Sequence, residues 1–92
     1  MKSDEFMNRA KQEVVNYYST PDDSTDKVNV QITTDDVYFV WFNYTLQRMK
    51  ALLSTTVPDG MYFEITYNPI SEDIYFDAYK KVRNKCISAK TR

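Results

Sequence analysis

A chain of 92 residues, 42% hydrophobic and 15% aromatic, has material for one modest core, none for a second domain, and too much apolar content for global disorder. With no histidine it lacks the commonest general base and metal ligand, and with Cys86 as its lone cysteine it has no internal disulfide. The net charge of −1 hides an asymmetry: residues 1–79 carry 13 acids against 6 bases, whereas residues 80–92 hold Lys80, Lys81, Arg83, Lys85, Lys90 and Arg92 with no acid.

In chain order, residues 3–19 read as a helix. Ser3 is placed to cap it, with Asp4 and Glu5 in the first turn, where the positive helix end favours acids. Phe6, Met7, Ala10, Val14, Tyr17 and Tyr18 then share a stripe about 120° wide. Glu5 and Arg9 stand four apart in the favourable order, and Pro21 stops the helix. The stripe is expected to pack on a sheet, because the opposite face mixes both charge signs rather than collecting lysine and arginine as an interfacial helix does.

Residues 20–36 form an acidic loop, in which Val28-Asn29-Val30-Gln31-Ile32 alternates as a short edge strand would. Asp22, Asp23 and Asp26 lack the spacing and the glycine of a calcium loop, so a solvated loop is the better reading.

Residues 37–80 read as a sheet of four extended runs. Val37–Tyr44 is apolar on both sides, with Val37, Phe39 and Trp41 on one and Tyr38, Val40, Phe42 and Tyr44 on the other, as a central or doubly covered strand would be. Met49–Val57 follows through a connection near Gln47-Arg48 that lacks Asn-Gly turn chemistry. Pro58-Asp59-Gly60 is the clearest turn, with Gly60 suited to a left-handed position. Met61–Tyr67 and Asp73–Lys80 flank a second turn, Asn68–Glu72. Pairing Tyr67 with Ile74, Ile65 with Phe76 and Phe63 with Ala78 collects the apolar partners on one face. Tyr62 with Tyr79, Glu64 with Asp77 and Thr66 with Tyr75 then fall on the other. The expected fold is therefore α+β, an N-terminal helix packed on one face of a four-stranded antiparallel β-meander.

The second face carries the functional expectation. Leu52, Tyr62, Tyr75, Tyr79 and one side of the Val37–Tyr44 strand leave much aromatic surface in water, around a like-charge pair, Glu64 and Asp77. Two facing carboxylates invite an acid–base reading, but the middle of a small sheet offers neither pocket nor positioned partner, so no enzyme, metal site or cofactor is expected. Tyrosine-rich, lysine-poor patches are what interface centres look like, and the carboxylates would select arginine or lysine on a protein partner. Lys80, Lys81, Arg83 and Lys85 offer a possible nucleic-acid or acidic-surface contact, at odds with the acidic aromatic face. A homodimer through the aromatic face is the further alternative. Cys86, beside Lys85, reads as a packed small hydrophobe rather than a reactive thiol. No apolar run reaches the roughly 18 residues of a membrane span, and no secretory leader is expected.

Asp36-Val37-Tyr38-Phe39-Val40-Trp41, Thr45-Leu46-Gln47, Lys50–Val57, Asp59–Tyr62, Glu64–Asn68 and Asp77–Lys81 together resemble a family of short proteins of unknown function from phages and prophages of Gram-positive bacteria. The likeness spans roughly residues 3–87, and the extension Ser88–Arg92 is longer and more basic than the family pattern. The resemblance assigns no catalytic residues. It implies a phage origin, action in the bacterial cytoplasm, and a stoichiometric inhibitor of a host or defence protein. One such role is anti-CRISPR, filling the basic nucleic-acid channel of an effector such as Cas9.

Overall fold

The computed structural model describes residues 1–20 and 30–90. The helix α1 spans Ser3–Ser19, and four strands follow: β1 (Val37–Thr45), β2 (Arg48–Thr55), β3 (Met61–Asn68) and β4 (Asp73–Lys80). The strands lie in the order β1-β2-β3-β4, every neighbouring pair antiparallel, so the sheet is an open meander. The acidic residues Asp22, Asp23 and Asp26, and the first two residues of the alternating run, Val28 and Asn29, lie outside the described residues. Its described part, Val30–Ile32, forms no strand.

Helix α1 forms because Phe6, Ala10, Val14 and Tyr18 recur every fourth residue, and all four are buried. Ser3 does not cap it. Lys2 holds that position without a side-chain hydrogen bond, and Ser3 is the first helical residue. Arg9 pairs with Glu13, 2.8 Å away, rather than with Glu5. The Asn16 carbonyl accepts three donors at the end of the helix, the Thr20 amide and the Ser19 and Thr20 hydroxyls, and so satisfies a carbonyl that would otherwise be orphaned.

The helix lies across β1, β2 and β3. Under it Met49, Ala51, Leu53, Phe63 and Ile65 are fully buried, each contributing about 1.5–3 kcal/mol as a large apolar side chain, less for alanine. The register of β3 against β4 is the expected one: Phe63 faces Ala78, Ile65 faces Phe76 and Tyr67 faces Ile74. Tyr17 and Phe76 close the core on the β4 side, with ring centroids 6.0 Å apart.

Strand β1 departs from strict alternation. Phe39 faces Leu53 and Trp41 faces Leu52, so Val40 is an extra residue with no partner on β2. This bulge exchanges the faces halfway along the strand. Val37 and Phe39 point at the helix before it, and Phe42 after it, its ring stacked 5.9 Å from Phe6. Trp41 is therefore turned to the outer face and Phe42 inward, so Trp41 does not share a side with Val37 and Phe39 as the expected alternation had it. Nor is β1 central: it is an edge strand. Its beginning is tied down by Asp36. The Asp36 carboxylate accepts the Thr33 amide at 2.9 Å, and the Asp36 carbonyl accepts the Thr56 amide at 3.0 Å.

The β1–β2 turn is made by Leu46 and Gln47, with φ of 51° and 66°. Both sit in the left-handed region without glycine, which is why sequence chemistry did not mark this turn. At the β2–β3 turn Gly60 takes φ 73°, as expected. Asp59 organises that turn: its carboxylate accepts the Met61 amide at 3.1 Å and the Tyr18 hydroxyl at 2.6 Å. The turn is thereby bolted to the end of α1.

Candidate functional site: the outer face of the sheet

With the helix on one side, the other side of the sheet is left open. Each residue on it is placed by strand alternation, opposite a buried neighbour. Tyr62 faces Tyr79, Glu64 faces Asp77 and Thr66 faces Tyr75 across β3 and β4, while Leu52 faces Glu64 across β2 and β3. The two β4 tyrosines are about half exposed, Tyr75 at 52% and Tyr79 at 51%. Tyr62, Leu52 and Glu64 are half-buried among them, and Asp77 is exposed. All six residues expected at a binding face thus share one surface.

The face also takes in residues of β1, as expected, though not a single alternating set of them. Tyr38, opposite Ser54, reaches it by alternation ahead of the bulge, and the bulge at Val40 turns Trp41, opposite Leu52, onto it as well, at 48% and 42% exposure. Trp41 heads a row that runs Trp41, Leu52, Glu64, Asp77 across all four strands. Beside it lies a shallow groove of about 440 Å³ between Trp41, Asn43, Arg48, Lys50 and Thr66. No polar–apolar alternation in Phe39-Val40-Trp41-Phe42 signals the bulge, so sequence reasoning brought one side of this strand to the face without fixing which residues it would be. The uniformly apolar run was the one available warning.

The electrostatics also differ from expectation. Lys50 Nζ lies 3.4 Å from Glu64 Oε1, so one of the two facing carboxylates already has a cation from its own chain. Among the described residues Asp77 has no ion-pair or hydrogen-bond partner. The face is consequently graded, with Arg48 and Lys50 at the β1–β2 end and Asp77 on β4.

The basic residues proposed for a nucleic-acid contact do not join this patch. Lys80 ends β4 at the Gly60 end of the sheet, far along the strands from Arg48. Lys81, Arg83 and Lys85 lie in a segment, 81–90, that forms no helix or strand. That segment does not fold back on the acidic body: every residue of it is exposed. Cys86 is exposed with the rest, not packed, because the segment carries it away from the core.

Away from the face, Tyr18 has the one strongly perturbed titration among the described residues. Burial raises its phenol well above the usual range, and the hydrogen bond to Asp59 pushes it the same way. Tyr18 is 1% exposed beneath the helix, which makes this a structural bond rather than a reactive group. Among the described residues no group of three or more Cys, Asp or Glu is placed to hold a metal ion, and no helix is long and apolar enough to cross a membrane.

No curated protein and no solved structure matches the chain. A family model does match, over residues 7–89, from the second turn of α1 through the basic segment beyond β4. The chain belongs to that family, a family of unknown function (DUF6275).

Proposed function

We propose that this protein is a non-catalytic binding module that acts stoichiometrically on a protein partner through the outer face of its sheet. The observation that carries the reading is the uncovered aromatic surface. Four large rings, Tyr38, Trp41, Tyr75 and Tyr79, stand about half exposed on one side of a sheet whose other side is packed by α1. Tyrosine and tryptophan supply contact area at little entropic cost and dominate the energetics of interface centres. Tyr62, Leu52 and Glu64 form the middle of the patch, with Asp77 as the free charge that selects a cation on the partner.

The resemblance to short phage and prophage proteins supports a narrower version. In it the chain works in the bacterial cytoplasm and blocks a host or defence protein, as an anti-CRISPR does when it occupies the nucleic-acid channel of an effector such as Cas9. That step rests on setting rather than on residues. The groove between Trp41, Arg48 and Lys50 supports a second reading, single-stranded nucleic acid with a base stacked on Trp41 and phosphates on the two cations.

The test is capture by the immobilised chain from a bacterial lysate, followed by titration of the purified captured protein. Saturation at a fixed molar ratio, with capture lost in Tyr62→Ala/Tyr79→Ala, is the expected result. Turnover at trace amounts would replace the binding reading with an enzymatic one. A gel shift on single-stranded DNA that weakens steeply with salt and disappears in Trp41→Ala would favour the second reading.

A further inference from the structure

We propose that two copies of this chain pair through β4 and the segment that continues it, joining their sheets edge to edge around a two-fold axis. This goes beyond the binding reading and does not rest on it: the hydrogen bonds come from the edge of the sheet, although the contact also engages Tyr75, Asp77 and Tyr79 at the β4 margin of the outer face.

The segment 81–90 leaves β4 with one anchor, the Lys81 amide donating to the Gly60 carbonyl at 2.8 Å. Beyond that bond, among the described residues, no hydrogen bond joins it to the body, and Val82 and Ile87 stand 95% and 74% exposed. The radius of gyration, 15.3 Å, exceeds the roughly 12 Å of a compact domain this size, as an arm reaching away from the body requires. The arm carries Lys81, Arg83, Lys85 and Lys90 and no acid. Beside it, β4 is an edge strand with Asp73 and Asp77 along it. Unpaired edges and exposed apolar side chains are what strand addition covers.

The hydrogen bonding sets which groups are free. Since the Lys81 amide bonds to β3, odd-numbered residues of β4 direct their backbone groups inward. Even-numbered ones, Phe76, Ala78 and Lys80, turn theirs to the open edge. An antiparallel pair of β4-plus-arm strands centred on Lys81 then bonds Phe76 with Cys86, Ala78 with Asn84 and Lys80 with Val82 of the second copy. On the outer face the same register sets Asp77 opposite Lys85, Tyr79 opposite Arg83 and Tyr75 opposite Ile87. Those contacts are an ion pair, a cation on an aromatic ring and an apolar pair. Compared with centring on Val82, which would put Lys81 against Arg83 and Asp77 against Ile87, the Lys81-centred register is the one charge favours. Its one unfavourable contact is Lys81 against itself on the axis. An axis perpendicular to the sheet leaves both helices on one side and both aromatic faces on the other, doubling the width of the outer face.

Sedimentation equilibrium of the full chain alone should give a mass near twice 10.9 kDa. Lys85→Asp and Asp77→Lys should each weaken the dimer by about tenfold or more, because each change acts at two symmetric places, and the double variant should restore it. Lys81→Cys in a Cys86→Ser background should oxidise to a covalent dimer. Facing residues at that position have Cα atoms about 4.5 Å apart, within disulfide reach. A monomer at millimolar concentration overturns the proposal. So does a dimer that ignores both charge reversals and leaves Lys81→Cys uncrosslinked.

Discussion

Replacing Tyr18 with phenylalanine isolates the bond that fastens the β2–β3 turn to the helix. The ring remains, with its edge contacts to Tyr17 at 5.2 Å and Phe63 at 5.9 Å, so no cavity opens. The turn also keeps a second support, since Asp59 still accepts the Met61 amide. What goes is a 2.6 Å hydrogen bond from a buried hydroxyl to a carboxylate. Bonds to charged groups are worth about 1.5–3 kcal/mol, and the partial exposure of Asp59 sets the expectation near 1.5 kcal/mol. In a domain of this length that is a fall in Tm of about 6–12 °C, read by circular dichroism at pH 7. Burial of the phenol, with the same bond, predicts a pH dependence. The folded state holds the Tyr18 phenol protonated, whereas the unfolded chain releases that proton near pH 10, the usual tyrosine value. Its contribution is therefore complete below pH 10 and is lost as pH rises toward the raised folded value, so the gap between wild type and Tyr18→Phe should narrow above pH 10. A Tm change below about 2 °C, or a gap that widens in alkali, would refute the role given to this bond.

Tyr62→Ala/Tyr79→Ala should leave the melt cooperative, because neither ring belongs to the core under α1, while abolishing partner capture. Gly60→Ala should cost about 1–2 kcal/mol in denaturant unfolding. The cost is conformational, from φ 73°, because an added Cβ would meet nothing closer than Lys81 at 3.7 Å. A loss well beyond that would mean the site is sterically closed. Deleting Val40 should preserve a cooperative melt, since that residue has no partner on β2 and its removal lets the β1 ladder close between Phe39 and Trp41. An unfolded deletion variant would show that the bulge is required for the strand to seat.

The parts of this fold that could be read from sequence are those governed by one period. The stripe from Phe6 to Tyr18 repeats at helical spacing, and Phe63, Ile65 and Tyr67 alternate against Ile74, Phe76 and Ala78, so helix, register and outer face followed directly. Where a period breaks, reading failed. The β1 sequence is apolar on both sides, so nothing in it fixes which face Trp41 takes, and the bulge decides the matter through pairing with β2. Lys50 was equally invisible as the partner of Glu64. Their contact runs diagonally between strands and depends on the β2–β3 register rather than on either strand alone. The left-handed Leu46-Gln47 turn carries no glycine or asparagine, because the hairpin imposes that backbone on residues that do not prefer it. The basic arm was legible as charge but not as shape.

Oxidative footprinting with hydroxyl radicals, on the free chain and again with the captured partner bound, tests the binding face most directly. Tyr75, Tyr79 and Trp41 should be modified readily in the free chain and protected in the complex, with Tyr18 and Phe63 inert in both. Rings on the outer strands that resist oxidation before any partner is added would contradict it, as would protection confined to the solvent side of α1.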